Sequence, residues 1–217
     1  MQKIDMADSL TLWLLYFTSF ITLMNPLGVM PVFMSMTSGL ERSQRKKTAY
    51  KALVTAFFTL IVFAFGGQML FSFFGISVAG LKVVGGVLFF FMGYDMLNAR
   101  LSRLKLTSKD VGPYVDDISI TPLGIPMIAG PGSITNAIIL MDQSNGTIEK
   151  AILVSSILAV CLIVLIILLS GSKIMKFLGE TGNKVLMKLM GLIVMVIAVE
   201  FFFTGITPYI RAILNIE

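Results

Sequence analysis

Two short segments carry most of the binding chemistry that the residue types of this chain allow. They are Asn25-Pro26-Leu27-Gly28 and Gly130-Pro131-Gly132-Ser133, and they lie 105 residues apart. Each interrupts an uncharged apolar run in which a lipid-crossing helix should be continuous. Asn is a favoured N-cap and Pro a favoured first helical residue, so Asn25-Pro26 marks the start of a new helix inside the run. Gly130 and Pro131 can play the same parts, and Gly132 and Ser133 leave the first turn open to close approach. A helix start presents free N–H groups and a partial positive charge, which suit a carboxylate or another small anion. The carbonyl ends of the preceding half-helices suit an ammonium group or a cation, so a zwitterion satisfies both sets. The side chains of Asn25, Ser133, Thr135 and Asn136 add neutral hydrogen bonds. The plainer alternative is a pair of kinked helices whose freed backbone groups are satisfied by neighbouring spans. Five of the seven prolines (Pro26, Pro31, Pro122, Pro126 and Pro131) fall in these two runs, which favours the binding alternative.

Other reactive groups are few. Asp95 and Glu200 are the carboxylates well inside apolar runs, and acids at membrane depth are functional suspects. The chain has no His, so a proton relay within the membrane would use carboxylates or water. At 1.5 Å per residue, Asp95 lies about 18 Å and Glu200 about 22 Å along their apolar runs, near the exit ends. Gating or coupling therefore stands beside a helix-end, interfacial role for both. Cys161 is the single cysteine and sits in an apolar stretch, so it forms no intramolecular disulfide and reads as a buried, inert thiol. Ser133 has no evident base and is better explained as a helix-start residue than as a nucleophile. These absences argue against an enzyme and against any metal or cofactor beyond a coupling ion, H+ or Na+. No nucleotide-binding P-loop is present, so ATP-driven transport by this chain alone is not expected.

The elements that must position these residues are membrane spans. Hydrophobic residues make up 56% of the 217 and charged residues 13%, against about 25% charged in soluble domains. The mean hydropathy is +0.91. Since about 20 helical residues cross the hydrocarbon core, six runs are long enough: 9–36 (broken), 52–73, 83–98, 118–141 (broken), 151–170 and 185–206. The third is short and extends into the connection before it. Asn25 and Gly130 both fall near the middle of their runs, hence near the bilayer midplane. The first run is long, follows Asp5 and Asp8 and lacks a basic leader, so it reads as a resident span. The polar connections are short, so residues 1–217 form one membrane domain. The Phe89–Phe91 and Phe201–Phe203 runs read as lipid-facing and packing surface, and Gly85, Gly86, Gly93 and Gly191 as sites of close helix approach.

Charge placement orients the spans. Thirteen of the 17 Lys and Arg residues lie in the first, third and fifth connections: Arg42, Arg45, Lys46, Lys47 and Lys51; Arg100, Arg103, Lys105 and Lys109; Lys173, Lys176, Lys184 and Lys188. The positive-inside rule puts these connections in the cytoplasm and both termini outside. So short a basic loop is a topology signal, and no nucleic-acid partner is expected.

The halves also match each other. Asn25-Pro26 pairs with Gly130-Pro131, Gly86 with Gly191 and Asp95 with Glu200, all at an offset of 105; Phe73-Phe74-Gly75 pairs with Phe177-Leu178-Gly179 at 104. Three spans per half is an odd number, so the second copy enters from the opposite side. The expected fold is an all-α integral membrane protein with six helices in a 3+3 inverted-topology repeat, spans 1 and 4 being broken. Repeat 1 covers about 9–98, repeat 2 about 118–206, and a cytoplasmic linker about 99–117.

The stretches NPLGVMPVFMSMTS (25–38), TPLGIPMIAGPGSI (121–134) and LMGLIVMVIAVEFFFTGI (189–206) resemble the MarC family of bacterial inner-membrane proteins. The resemblance covers essentially the whole chain. The family includes SnatA-type carriers of small neutral amino acids such as glycine and alanine, reported as proton-coupled. The resemblance thus implies a multi-pass transporter of the bacterial plasma membrane. It implies substrate-facing roles for Asn25, Pro26, Gly28, Gly130, Pro131, Gly132 and Ser133. The expected activity is secondary transport of a small zwitterionic or anionic solute, coupled to protons or ions, by alternating access. A passive channel is the second reading, since aquaporin-like channels also pair half-helices that begin at Asn-Pro. Here the second break lacks the Asn, and both breaks lie in long spans. Export of a different small metabolite is a third possibility. The sequence leaves the oligomeric state open.

Overall fold

The computed structural model describes residues 6–98 and 111–215, and the described residues are helical with no strand. Arg100, Arg103, Lys105 and Lys109, with most of the expected linker, and Lys3 lie outside them. The helices are α1 (Met6–Met24), α2 (Pro26–Met36), α3 (Arg42–Phe74), α4 (Val78–Leu97), α5 (Val111–Ile118), α6 (Pro131–Gln143) and α7 (Thr147–Leu214). An irregular segment, Ser119–Ile128, joins α5 to the turn before α6. Five helices are long and apolar enough to cross a membrane, or six if the bent pair on either side of Gly130 counts as one span.

Local sequence explains where the helices begin and end. Glu41 and Gln44 form a capping box at the start of α3, two acceptors each satisfying an N–H that has no helical partner. Gly75 closes α3 at φ 63°, a left-handed conformation that glycine adopts without Cβ strain. Ser77 caps α4, its Oγ accepting from the Gly80 N–H at 2.9 Å. Gly179 turns the chain within α7 at φ 68°, between the apolar arms Thr147–Gly171 and Lys184–Leu214. The two positive-φ glycines, 75 and 179, stand at the 104-residue offset read from the sequence.

The helix packing has a consistent directional pattern. α4 and the second arm of α7 run antiparallel at backbone contact. A Cβ on Gly86 would lie 2.6 Å from the Ala198 carbonyl oxygen, one on Gly93 2.7 Å from that of Gly191, and one on Gly205 2.7 Å from that of Ala79. The first arm of α7 runs beside α1 and α2 in the same direction, with Ser156 near Trp13 and Gly171 against Met30 and Met34. The α5–α6 region runs beside α3, also in the same direction. Lys51 is ion-paired with Asp116, Gly124 meets Thr55, and Gly67 meets Ile138.

Two features differ from the sequence reading. The stretch before Gly130 is regular only to Ile118, and then Thr121 and Ile125 adopt extended backbone at φ −131°. Each precedes a proline, Pro122 or Pro126, which disfavours helical geometry in the residue before it and withholds an N–H. Both X-Pro bonds are cis. The last helix also continues past residue 206 to Leu214, so Glu200 lies near the middle of the 31-residue arm Lys184–Leu214 rather than near its end.

Candidate functional site

The first break is a single residue. Asn25 stands at φ 41°, ψ 67°, a left-handed conformation that Asn tolerates better than other residues with a Cβ. Its Oδ1 accepts from the Gly28 N–H at 3.2 Å, and its carbonyl accepts from the N–H groups of Gly28 and Val29. Gly28 is required by this cap, because a Cβ there would sit 2.5 Å from Asn25 Nδ2. Pro26 and Gly28 are buried, while Asn25 is half-buried. Asn25→Ala is expected to lower stability by about 0.5–2 kcal/mol, the range for a lost N-cap, and Asn25→Gly by only a few tenths. Thermal denaturation in detergent, reported by size-exclusion chromatography, measures the difference.

The second break is built differently. Gly130 precedes α6 in an extended conformation and has no side chain to cap with. Pro131 follows without an N–H, and the Ile134 N–H returns to the Gly130 carbonyl at 2.9 Å. The N–H groups of Gly132 and Ser133 have no carbonyl four residues back within the helix. The axis bends by 61° here. Just inside the turn, the Ser133 hydroxyl is fully buried, the Thr135 hydroxyl nearly so, and neither has a hydrogen-bond partner; Asn136 Nδ2 is also buried without one. Buried polar groups are satisfied in the great majority of cases, so three neighbours left open make this turn a candidate site.

The tertiary structure brings the two breaks together. The Cβ position of Gly132 lies 3.2 Å from Leu23 Cδ2, two residues before Asn25. A small cavity is lined by Asn25 and Gly28 from the first break, Met127 from the stretch before the second, and Phe89, Met92, Val194 and Ile197 from α4 and α7. Its volume is about 30 Å³. That admits a water or two but no organic solute, since ligand sites measure about 300–1,000 Å³. The space between the breaks is therefore too small for an organic solute as it stands.

Asp95 and Glu200 are not among the residues that line this cavity. Asp95 is half-buried near the end of α4, and Glu200 is exposed beside Phe90, Leu192 and Val196. The residues that sequence reasoning missed are Phe89 and Phe201. Their runs divide: Phe91 and Phe203 are more than 60% exposed, whereas Phe89 is 8% exposed and stacks on Phe201 at 6.1 Å. The signal was present in helical register. Gly86, Phe89, Gly93 and Met96 share one face of α4, as Gly191, Val194, Ala198, Phe201 and Gly205 share one face of α7. The close-approach glycines thus point to the inward member of each aromatic run.

Broken apolar helices packed through glycine, with buried polar groups at the break, define a multi-pass α-helical integral membrane protein. The chain belongs to the MarC family of integral membrane proteins, which matches it over residues 10–210. It is 36% identical over 201 residues to a UPF0056 membrane protein of Pyrococcus horikoshii, covering 93% of this chain and 97% of the relative. It is 35% identical over 193 residues to the UPF0056 membrane protein YvbG of Bacillus subtilis, covering 88% and 92%. A UPF0056 membrane protein of Archaeoglobus fulgidus is 30% identical over 204 residues, covering 93% and 95%. No solved structure matches the chain.

Proposed function

We propose that the protein is a secondary transporter of small neutral amino acids of the glycine and alanine type, coupled to protons or another ion. The observation that carries this reading is the uncapped start of α6. Two backbone N–H groups without helical partners and the buried, unpartnered hydroxyls of Ser133 and Thr135 lie in the first turns of α6, where Gly132 meets Leu23, two residues before Asn25. A carboxylate is the ligand such donors suit. The tight fit around Gly28 and Gly132 favours a solute with little or no side chain. The reading needs no enzyme chemistry and no cofactor other than a coupling ion, for which Asp95 and Glu200 are the candidate carboxylates.

We infer in addition that the halves form a 3+3 inverted repeat, which would permit alternating access by movement of one half against the other. Exchanged contacts support this. Gly86 meets Ala198 and Gly93 meets Gly191, while adding 105 converts 86 to 191 and 93 to 198. Gly67 meets Ile138 and Gly171 meets Met34, while adding 104 converts 67 to 171 and 34 to 138. Reciprocal contacts of this kind are the mark of a two-fold relation. Two pairs of cavity residues, Phe89 with Val194 and Met92 with Ile197, are likewise 105 apart, as such a relation would lead one to expect near its axis. Parallel contacts of α1–α2 with the first arm of α7, and of α3 with α5–α6, agree with six alternating crossings. The charge distribution favours both termini outside, and the relative in Bacillus subtilis favours a bacterial-type plasma membrane location.

Uptake of labelled glycine and alanine into proteoliposomes tests the proposal. Saturable uptake that rises with an imposed proton or sodium gradient is expected. Absence of saturable uptake under either gradient would refute the amino-acid reading. Non-saturating flux indifferent to gradients would favour a channel.

A further inference from the structure

We propose that Phe89 and Phe201 form a two-ring plug that closes the start of α6 and sets the size of solute it admits. The rings come from different halves of the chain, Phe89 from α4 and Phe201 from the second arm of α7. They stack with centroids 6.1 Å apart and planes inclined by 25°. Both press on the glycines flanking Pro131. A Cβ on Gly130 would lie 2.6 Å from Phe89 Cζ, and one on Gly132 would lie 2.3 Å from Phe201 Cζ. The rings therefore rest on the turn whose first N–H groups have no helical partner and whose Ser133 hydroxyl is buried without a hydrogen bond. Phe89 also lines the small cavity beside Asn25 and Gly28, so its ring stands between that cavity and Gly130.

Only glycine at 130 and 132 lets the rings approach so closely. The arrangement explains how an open helix start can exist inside an apolar protein without a permanent polar partner: the plug keeps the turn shut until a ligand replaces it. Because each half supplies one ring, the stack lasts only while α4 and the second arm of α7 hold their present register. A movement of one half against the other parts the rings and uncovers the turn. The space vacated then limits the ligand's side chain. The plug's role in selecting a solute rests on the transporter reading above, whereas its role as a barrier to the turn does not.

The test uses the full-length protein in proteoliposomes, with Cys161→Ala removing the single native cysteine and Ser133→Cys placing a thiol in the turn. The rate of modification by 2-aminoethyl methanethiosulfonate is measured with the plug intact and in Phe201→Ala, Phe201→Leu and Phe89→Ala. Truncation is expected to accelerate modification by about tenfold or more, as a buried aromatic contact ceases to oppose opening. Phe203→Ala, which removes an exposed ring, should leave the rate unchanged. Equal rates in all folded variants would overturn the plug, and Phe201→Leu keeps the test decisive if the alanine variant fails to fold. Uptake is measured alongside in proteins that retain Ser133. The intact protein should exclude leucine and Phe201→Ala should admit it; continued exclusion overturns the role in size selection. If glycine uptake is absent while modification accelerates, the amino-acid reading falls and the barrier stands.

Discussion

Gly132→Leu is expected to reduce glycine uptake to the background of empty vesicles while the protein still inserts and runs as a single species. The space a side chain would need at position 132 is taken by Phe201 Cζ at 2.3 Å, Phe201 Cε2 at 2.9 Å and Leu23 Cδ2 at 3.2 Å. These are ends of side chains, which can shift without moving a helix, so the fold should survive. The ligand should not. An isobutyl group at the first turn of α6 covers the N–H groups of residues 132 and 133, the donors that the proposed carboxylate uses. Hydrogen bonds to a charged group contribute about 1.5–3 kcal/mol each. Loss of two weakens binding by about 3 kcal/mol or more, roughly 100-fold or beyond. Gly132→Ala should be intermediate, since one methyl displaces the Phe201 ring without covering both donors. Uptake by equal amounts of reconstituted protein measures the series. Normal transport by the leucine variant would remove the second break from the substrate path.

Gly86→Leu should fail in the opposite way, through loss of stability. The neighbours of a Cβ at position 86 are backbone atoms, the Ala198 carbonyl oxygen at 2.6 Å and the Phe202 nitrogen at 2.8 Å. Backbone within a helix cannot yield locally, so α4 and the second arm of α7 must separate along their contact. Without a hydrophobic drive between helices in lipid, such packing is a main source of association. Overpacking of this kind costs about 1–3 kcal/mol and sometimes more. At about 2–4 °C per kcal/mol for a chain of this size, the melting temperature should fall by roughly 2–12 °C. Gly191→Leu should match it, because a Cβ there meets the Gly93 carbonyl oxygen at 2.9 Å and the Leu97 nitrogen at 3.2 Å. Gly66→Ala, where no atom lies within 4 Å, is the neutral control. Thermal unfolding in detergent measures all three. Equal stability of Gly86→Leu and the parent protein would refute direct backbone contact between α4 and α7.

The two glycines make different predictions although both sit in apolar helices next to aromatic residues. Composition and spacing do not separate them. What separates them is the identity of the opposing atoms: a movable ring end at Gly132, and another helix's backbone at Gly86. A glycine in a one-dimensional pattern signals close approach but leaves the approaching group open. For the same reason the aromatic runs read from the sequence as lipid-facing and packing surface without a division between the two, while in the fold Phe89 and Phe201 turn inward and their neighbours Phe91 and Phe203 turn outward.

By itself, the sequence determined the class of protein and the positions of the breaks. Both follow from local physics: long uncharged runs partition into lipid, and Asn-Pro or Gly-Pro ends one helix and begins another wherever it falls. The 105-residue spacing between matching residues was also legible, because it lies in the order of residues alone. Only the tertiary structure decided that the breaks are unequal. Asn25 turns its own side chain back onto the Gly28 N–H and so satisfies its helix start, whereas Gly130 has no side chain with which to do so. It also decided that Leu23 reaches Gly132, that the rings of Phe89 and Phe201 meet the glycines of the open turn, and that Asp95 and Glu200 do not line the cavity between the breaks. These are contacts between residues up to 112 positions apart along the chain. They depend on how helices cross and which faces they present, and no local propensity specifies either.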